Sequence, residues 1–111
     1  MSPARRSGLA RSAPLFAALG DPTRLGLVAR LSQDGPLSIA RLTDGARVSR
    51  QAVTKHMRVL AGAGLVQGSR AGRETLWQIA PARLVEARRD LDLISRRWDA
   101  ALARLKALVE T

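Results

Sequence analysis

The amino-acid sequence predicts a mainly α-helical domain of five helices with one small β-hairpin. Most apolar residues recur at the three- and four-residue spacing of amphipathic helices, whereas residues 65–79 alternate with a period of about two, which is typical of paired strands. Gly72 lies between the two strand-like runs, where glycine can take the positive φ of a tight turn. A chain of 111 residues that is 46% hydrophobic can form one domain with a core, and it is too short for a multidomain enzyme.

The first two helices are predicted from capping and turn residues. A short helix over residues 16–19 ends at Gly20, and Asp21 followed by Pro22 is a helix N-cap with proline in the first turn. The second helix therefore begins at this pair and ends at the turn cluster of residues 34–36.

The third and fourth helices are each preceded by a capping serine. Ser38 and Ser49 are predicted N-caps of helices that extend to about residues 46 and 63. In the fourth helix Val53, Met57 and Leu60 lie on one face, so that this face is expected to pack on the core. The opposite face carries polar and basic side chains.

The last helix is predicted to begin at Pro81 and to run to about residue 109. Its apolar residues are spaced alternately three and four positions apart, which is the a/d pattern of a heptad repeat. They are Leu84, Ala87, Leu91, Ile94, Trp98, Ala101, Leu105 and Leu108. At 1.5 Å per residue the helix is roughly 40 Å long, more than the short first helix can cover.

This length mismatch predicts a homodimer. The predicted interface residues are Phe16, Leu19, Leu91, Ile94, Trp98, Ala101, Leu105 and Leu108. The alternative is that the whole apolar stripe packs on the first helix of the same chain.

The net charge indicates a polyanionic partner. There are 19 Lys and Arg against 9 Asp and Glu, a formal charge of +10, and residues 49–80 hold the largest local excess, +4.

A helix, a turn, a capped helix and a basic hairpin follow one another in the order of a winged helix-turn-helix, in which the second helix enters the major groove of double-stranded DNA. The predicted DNA contacts are Ser49, Arg50, Gln51, Thr54, Lys55 and Arg58 on that helix and Arg70 and Arg73 on the wing.

Residue chemistry divides these contacts only in part. Glutamine pairs with adenine and arginine or lysine with guanine, whereas serine and threonine hydroxyls take either a base or a phosphate. Arg58, Arg70 and Arg73 are better placed for the DNA backbone. Which of the other residues read bases is left open.

Four sequence blocks follow one another at set distances: LGDPTR at 19–24, VSRQAVTKHMRVL at 48–60, AGLV at 63–66 and GR at 72–73. Together they resemble the ArsR-type winged-helix regulators of bacteria, and RWD at 97–99 is similar to a branch of that family with a tryptophan in its last helix. The resemblance covers nearly all of residues 15–109 and implies a homodimer, built from the first and last helices, that binds a palindromic operator and usually represses transcription. It also implies DNA contacts on residues 49–58 and 70–73.

The metal-sensing members of this family carry ligands that this chain lacks. They have a cysteine pair on the third helix or Asp, His and Glu ligands on the last, whereas this chain has no cysteine and one histidine, His56. The acids of the last helix alternate with arginines as on a solvated face; they are Glu86, Asp90, Asp92 and Asp99. We therefore expect no metal site and no cofactor, and the effector, if there is one, is unknown.

Two further positions have open interpretations. His56 has three candidate roles: packing or hydrogen bonding at the edge of the buried face, a phosphate contact, or a pH-sensitive or ligand-binding role. Arg47 occupies a turn position where glycine is common in such motifs.

The domain organisation follows from these elements. Residues 1–13 are small and basic, contain proline and glycine, and are predicted to form a flexible arm. Residues 14–80 form the predicted DNA-binding domain, and residues 81–111 the dimerisation helix, which packs on the same domain. The arm has no apolar run for a signal peptide, so a cytoplasmic location is expected, with nucleoid association when the protein is bound to DNA.

The alternative function is a non-catalytic module that binds protein or RNA. It is disfavoured because a protein-docking face would expose large apolar side chains, whereas the fourth helix exposes Arg, Gln, Thr and Lys. An enzyme is not expected, because the sequence contains no phosphate loop and no nucleophile within a recognisable motif.

Overall fold

A computed structural model describes the backbone of residues 3–110 and the side chains of residues 10–110. In this part of the chain the architecture is mostly helical, with one antiparallel hairpin and a long last helix, which confirms the predicted fold class. The elements are α1 (Pro3–Leu19), α2 (Pro22–Asp34), α3 (Ile39–Thr43), α4 (Arg50–Gly62), β1 (Val66–Ala71), β2 (Glu74–Ile79) and α5 (Pro81–Glu110).

The first helix is much longer than the sequence predicts. α1 has 17 residues and includes Pro14 in its interior, so the backbone of residues 3–13, where the sequence predicts a flexible arm, is helical in this structure, while residues 1 and 2 of that arm lie outside the described residues. An internal proline removes one backbone hydrogen bond, which is why the sequence pattern favours a helix boundary there. Burial offsets that cost, because Ser12, Leu15 and Ala18 lie in the interior and the Ser12 hydroxyl donates a hydrogen bond to Asp90 of α5.

The caps of α2 confirm the sequence prediction. The Asp21 carboxylate accepts a hydrogen bond from the backbone N–H of Arg24 at 2.9 Å, which satisfies a first-turn donor. The helix ends at Gly35, whose φ is 75° and whose N–H donates to Leu31 O.

The turn between α3 and α4 uses a glycine at an earlier position than expected. α3 ends at Thr43 rather than near residue 46, because Gly45 takes the left-handed conformation with a φ of 80°. Arg47, like the other non-glycine residues described, has a negative φ and carries none of the turn strain. Ser38 and Ser49 cap the two helices as predicted, each accepting a hydrogen bond from the backbone N–H three residues on.

An isolated β-bridge joins the hairpin to the chain that precedes α3. β1 and β2 pair from Val66 opposite Ile79 to Ala71 opposite Glu74. Leu37 then bonds to β2, with its N–H donating to Trp77 O at 2.9 Å and its carbonyl accepting from Trp77 N at 2.8 Å. This bridge, which the sequence does not predict, fixes the base of the hairpin to the start of α3.

The hydrophobic core lies beneath α4. Its largest fully buried side chains are Leu42, Val53, Met57, Leu60 and Leu65, and those of α4 are the ones predicted from spacing. Because α4 buries an entire face, its outward side chains are held on a rigid support.

α5 begins at Pro81 as predicted, but it is little buried. Among its described residues only Ala87 is buried, although α1 packs against this helix. Leu91, Trp98 and Leu105 are 52%, 64% and 57% exposed, so the alternative that the whole stripe packs within one chain does not hold. In the part of the chain described, we find no helix that is both long and apolar enough to cross a membrane.

Candidate nucleic-acid interface

The outward face of α4 forms one shallow concave surface. It is lined by Ser49, Gln51, Ala52, Thr54, Lys55 and Arg58. Gln51, Lys55 and Arg58 are exposed, and Thr54 is half-buried. The Thr54 hydroxyl donates to Arg50 O at 3.0 Å, so toward a ligand it offers its methyl group and its oxygen lone pairs rather than its proton. The first turn of α4 adds backbone N–H groups and the positive end of the helix dipole, which favour an anion.

The wing lies beside the start of α4. Arg50 of α4 and Arg73 of the hairpin turn line one small depression, together with Ser38, Ile39, Glu74 and Thr75. Arg50 and Arg73 therefore border the same small surface beside the first turn of α4. Arg70 is exposed opposite Thr75 on the hairpin and lines neither surface.

No ion pair among the described residues involves the basic side chains of this face. The ion pairs among the described residues join Arg30 to Asp34, Arg83 to Glu86 and Lys106 to Glu110, all away from α4 and the wing. Glu74 is the one acid in residues 49–80. Arg50, Lys55, Arg58, Arg70 and Arg73 are thus available for an external anion, and of the eight predicted contacts only Arg70 stands apart from the two shared surfaces.

Arg30 of α2 holds the turn that precedes α4, a role that the sequence does not predict. Its Nη1 donates to Leu42 O at 3.1 Å and to Asp44 O at 2.8 Å, which are carbonyls at the end of α3. These carbonyls lack helical partners, and a guanidinium satisfies them. Leu42 and Asp44 lie 12 and 14 positions after Arg30, and no sequence pattern predicts contacts at these separations.

His56 lies on the inner edge of α4 and faces α2. Its Nδ1 is 3.4 Å from Nη1 of Arg24, which agrees with the hydrogen-bonding role among the three that the sequence leaves open. Arg24 also shapes the electrostatics of the neighbouring cap. Its backbone N–H lowers the pKa of Asp21 against a weaker opposing effect of desolvation, and the positive charge of its guanidinium lowers that pKa further.

The residues described contain no cluster of three or more His, Cys, Asp or Glu side chains that could hold a metal ion. Asp90, which the sequence places on a solvated face, is half-buried and accepts the hydrogen bond from Ser12. It therefore acts as a structural contact between α1 and α5.

The residues predicted to form the dimer interface lie in two environments. Phe16 and Leu19 are half-buried and pack against the core of their own chain. The α5 residues Leu91, Ile94, Trp98, Leu105 and Leu108 are 52%, 37%, 64%, 57% and 74% exposed, and Ala101 is half-buried among them. A single chain thus presents a continuous apolar stripe to solvent.

Comparison with known proteins agrees with this architecture. A family described as a helix-turn-helix domain matches residues 19–68. The chain is 39% identical over 94 residues to HTH-type transcriptional regulator Rv2034 of Mycobacterium tuberculosis, which covers 85% of this chain and 84% of that protein. It is 32% identical over 83 residues to HTH-type transcriptional repressor SmtB of the same species, covering 75% of this chain and 61% of the repressor.

Two solved structures are also similar. An ArsR-like transcriptional regulator from Rhodococcus sp. RHA1 has a TM-score of 0.76 and 36% identity, over 90% of this chain and 93% of that one. The homodimeric winged helix-turn-helix DNA-binding domain of Mb0332 from Mycobacterium bovis has a TM-score of 0.66 over 89% of this chain and 88% of that fragment. At 22% identity the second likeness concerns the fold alone.

Proposed function

The chain belongs to the ArsR family of winged helix-turn-helix transcriptional regulators, and from this premise we propose that it is a homodimeric repressor of a palindromic operator. The observation that carries the proposal is the unneutralised basic face of α4 and the wing, which faces outward on a chain whose α5 exposes an apolar stripe. The first feature fits DNA and the second fits another copy of the chain.

The proposed DNA contacts divide between bases and backbone. Gln51, Thr54 and Lys55 lie on the exposed face near the start of α4, the part of a recognition helix that reaches base edges in the major groove. Arg58, one turn further along, and Arg70 and Arg73 on the wing contact the phosphates on either side of that groove. Ser49 both caps α4 and presents its hydroxyl to the DNA.

The proposed dimer is formed by the stripe on α5 together with Phe16 and Leu19 of α1. The similar domain of Mb0332 is a homodimer, which supports this assignment. In a two-fold symmetric dimer both α4 helices face the same side of the duplex and meet half-sites about 10 bp apart, centre to centre. We accordingly assign residues 14–80 to DNA binding and residues 81–111 to dimerisation.

A repressor of this kind acts on chromosomal DNA, and we place it in the cytoplasm, on the nucleoid when bound. Repression rather than activation is proposed from the chain's likeness to the SmtB repressor. The effector to which the dimer responds is not assigned.

The experiment is selection of duplexes from a random pool by the purified chain, followed by binding assays on the selected sequence. We expect a palindrome that is bound at least about a thousandfold more tightly than random duplex. The logarithm of the binding constant should fall with the logarithm of salt concentration, with a slope of about −0.9 per phosphate neutralised. Selection of no sequence, or stronger binding to RNA hairpins than to duplex DNA, would contradict the proposal and favour an RNA-binding or protein-binding module.

The direction of regulation needs a separate assay. A reporter gene placed under the selected operator should be silenced by the chain, and less so by the triple variant Gln51→Ala, Lys55→Ala, Arg58→Ala. This variant changes only exposed side chains, so it should keep the α-helical content and molecular mass of the parent. A reporter that is activated would leave DNA binding intact and overturn repression.

A further inference from the structure

Arg24 joins three helices at one point. Its Nε donates to Ala18 O at 2.7 Å, and its Nη1 is 3.4 Å from Nδ1 of His56 on α4. Its own backbone N–H donates to the Asp21 carboxylate at the start of α2. One half-buried side chain therefore contacts the end of α1 and the inner edge of α4, while its backbone is anchored in the α2 cap.

Each contact meets a need of the group it touches. Ala18 lies one residue before the end of α1, where carbonyls lack intrahelical partners and a cation is favoured by the helix dipole. His56 accepts the Arg24 hydrogen bond through an unprotonated ring nitrogen. The Asp21 cap holds the Arg24 backbone in place, so that the direction of the side chain is set from α2.

The contacts of Arg24 with Ala18 and His56 form a junction between α1, α2 and α4, and the position of His56 keeps this junction away from DNA. At about 100° per residue His56 lies about 140° around α4 from Gln51, and therefore beside the buried face. A gap next to these contacts is lined by Pro14, Ala17, Ala18, Arg24, Val59, Gly62 and Ala63. Apolar packing between α1 and α4 is thus sparse here, and the polar contacts of Arg24 bridge the gap.

The junction also lies between the two functional halves of the chain. α1 packs on α5 and is tied to it by the hydrogen bond from Ser12 to Asp90. α4 carries the DNA-contacting face. The Ala18–Arg24–His56 contacts therefore form a short polar connection from the dimerisation helices to the recognition helix.

We propose that Arg24, acting through His56, is a positioning residue that sets the orientation of α4 relative to α1 and α5, and so the half-site spacing that the dimer accepts. Neither side chain touches DNA in this role. The inference rests on the proposed dimeric operator binding. It predicts that loss of the Arg24 contacts weakens the preference for one half-site spacing without weakening binding to a single half-site.

The test uses the full chain and two sets of duplexes. One set carries the selected palindrome with its half-sites at the parent spacing or moved by one base pair in either direction. The other is a single half-site on a duplex too short for a second α4. Arg24→Met keeps the side-chain stem and removes its donors, and Arg89→Met on α5 is the matched control at an exposed arginine.

We expect Arg24→Met to reduce the preference for the parent spacing by about tenfold, a typical effect of a residue that couples two sites without touching either ligand. Binding to the single half-site should stay within about twofold of the parent, since no phosphate or base contact is lost. Arg89→Met should match the parent on every duplex. Equal losses on palindrome and half-site would show that Arg24 contacts DNA, and an unchanged spacing preference would show that it positions nothing; either result overturns the inference.

If Arg24→Met folds poorly, two variants of His56 test the same proposal. His56→Leu should relax the spacing preference, and His56→Gln, which keeps an acceptor, should restore most of it. Equal behaviour of the two variants would overturn the role of the hydrogen bond. Failure of the parent chain to bind any palindrome would instead overturn the proposed function, because spacing would then have no meaning for either variant.

Discussion

The part of the chain from α2 to β2 and the helix α5 use their apolar residues in opposite ways. The largest fully buried side chains, Leu42, Val53, Met57, Leu60 and Leu65, all belong to the first region or the short link within it. α5 has 30 residues, yet of those described only Ala87 is buried. The first region supplies most of the core and presents a basic face, whereas α5 leaves most of its apolar side chains exposed, as the proposed dimer interface requires. Apolar spacing alone does not separate these two uses, and burial does.

A charge placed in the α5 stripe should have the largest effect on the difference between these two regions. Trp98→Glu should raise the dissociation constant of the dimer at least about a thousandfold, because the symmetric interface loses a central aromatic side chain twice, at about 2 kcal/mol or more each. Sedimentation equilibrium measures this change, and circular dichroism should show a folded monomer. Ala100→Glu, on the opposite side of α5, is the matched control. If both variants dissociate equally, the stripe is not the interface.

The same truncation in the two regions should have different consequences. Leu60→Ala removes a side chain with no exposure and should lower the free energy of unfolding by roughly 3 kcal/mol at any protein concentration. Leu105 is 57% exposed, so Leu105→Ala should lower apparent stability only at concentrations where the dimer forms. Chemical denaturation at a series of concentrations distinguishes the two. A concentration-independent loss of similar size for Leu105→Ala would place that residue in a core of its own chain.

Single substitutions on the basic face should separate base contacts from backbone contacts. Gln51→Ala and Thr54→Ala should each weaken the binding free energy for the selected operator by about 1 to 3 kcal/mol. The loss should be smaller on operators that are changed at the contacted base. Arg73→Ala should weaken binding to all duplexes alike and reduce the salt slope by about one. Competition binding over a set of single-base operator variants measures both effects. Uniform losses for all three variants would contradict the division between base and backbone contacts.

The smallest expected effect concerns the cap of α2 and acidic pH. The pKa of Asp21 is lowered from its ordinary value of 3.8 in the folded chain, so the charged carboxylate stabilises the fold at pH values above 3.8. This stabilisation is lost as the pH falls through the lowered pKa. Asp21→Asn keeps an acceptor but does not titrate, so unfolding free energies of this variant should vary less with pH below about 4. Dimer dissociation should change little, since Asp21 lies outside the stripe. Parallel pH profiles for parent and variant would contradict the assignment.

Much of the winged-helix region can be predicted from the sequence because its signals are local. The capping residues Asp21, Ser38 and Ser49 act within three residues, and the buried positions of α4 repeat at helical spacing. The alternation of residues 65–79 likewise predicts the hairpin, because successive side chains of a strand point to opposite faces.

The features that sequence reasoning misses depend on contacts between distant residues. α1 extends through Pro14 because burial against α5 outweighs a local breaker, and the Leu37–Trp77 bridge joins residues 40 positions apart. The contacts of Arg24 with His56 and of Arg30 with the α3 carbonyls have no sequence periodicity either. The predicted end of α3 is wrong because Gly45, rather than residue 47, takes the left-handed turn conformation.

Hydrogen exchange of the full chain, with and without its selected operator, tests the central assignment of the two regions most directly. We expect the operator to slow exchange at the start of α4 and in the hairpin turn, and dilution to speed exchange in the exposed half of α5 while leaving the core of the winged-helix region unchanged. Protection by DNA confined to α5, or exchange in α5 that does not respond to dilution, would contradict the account.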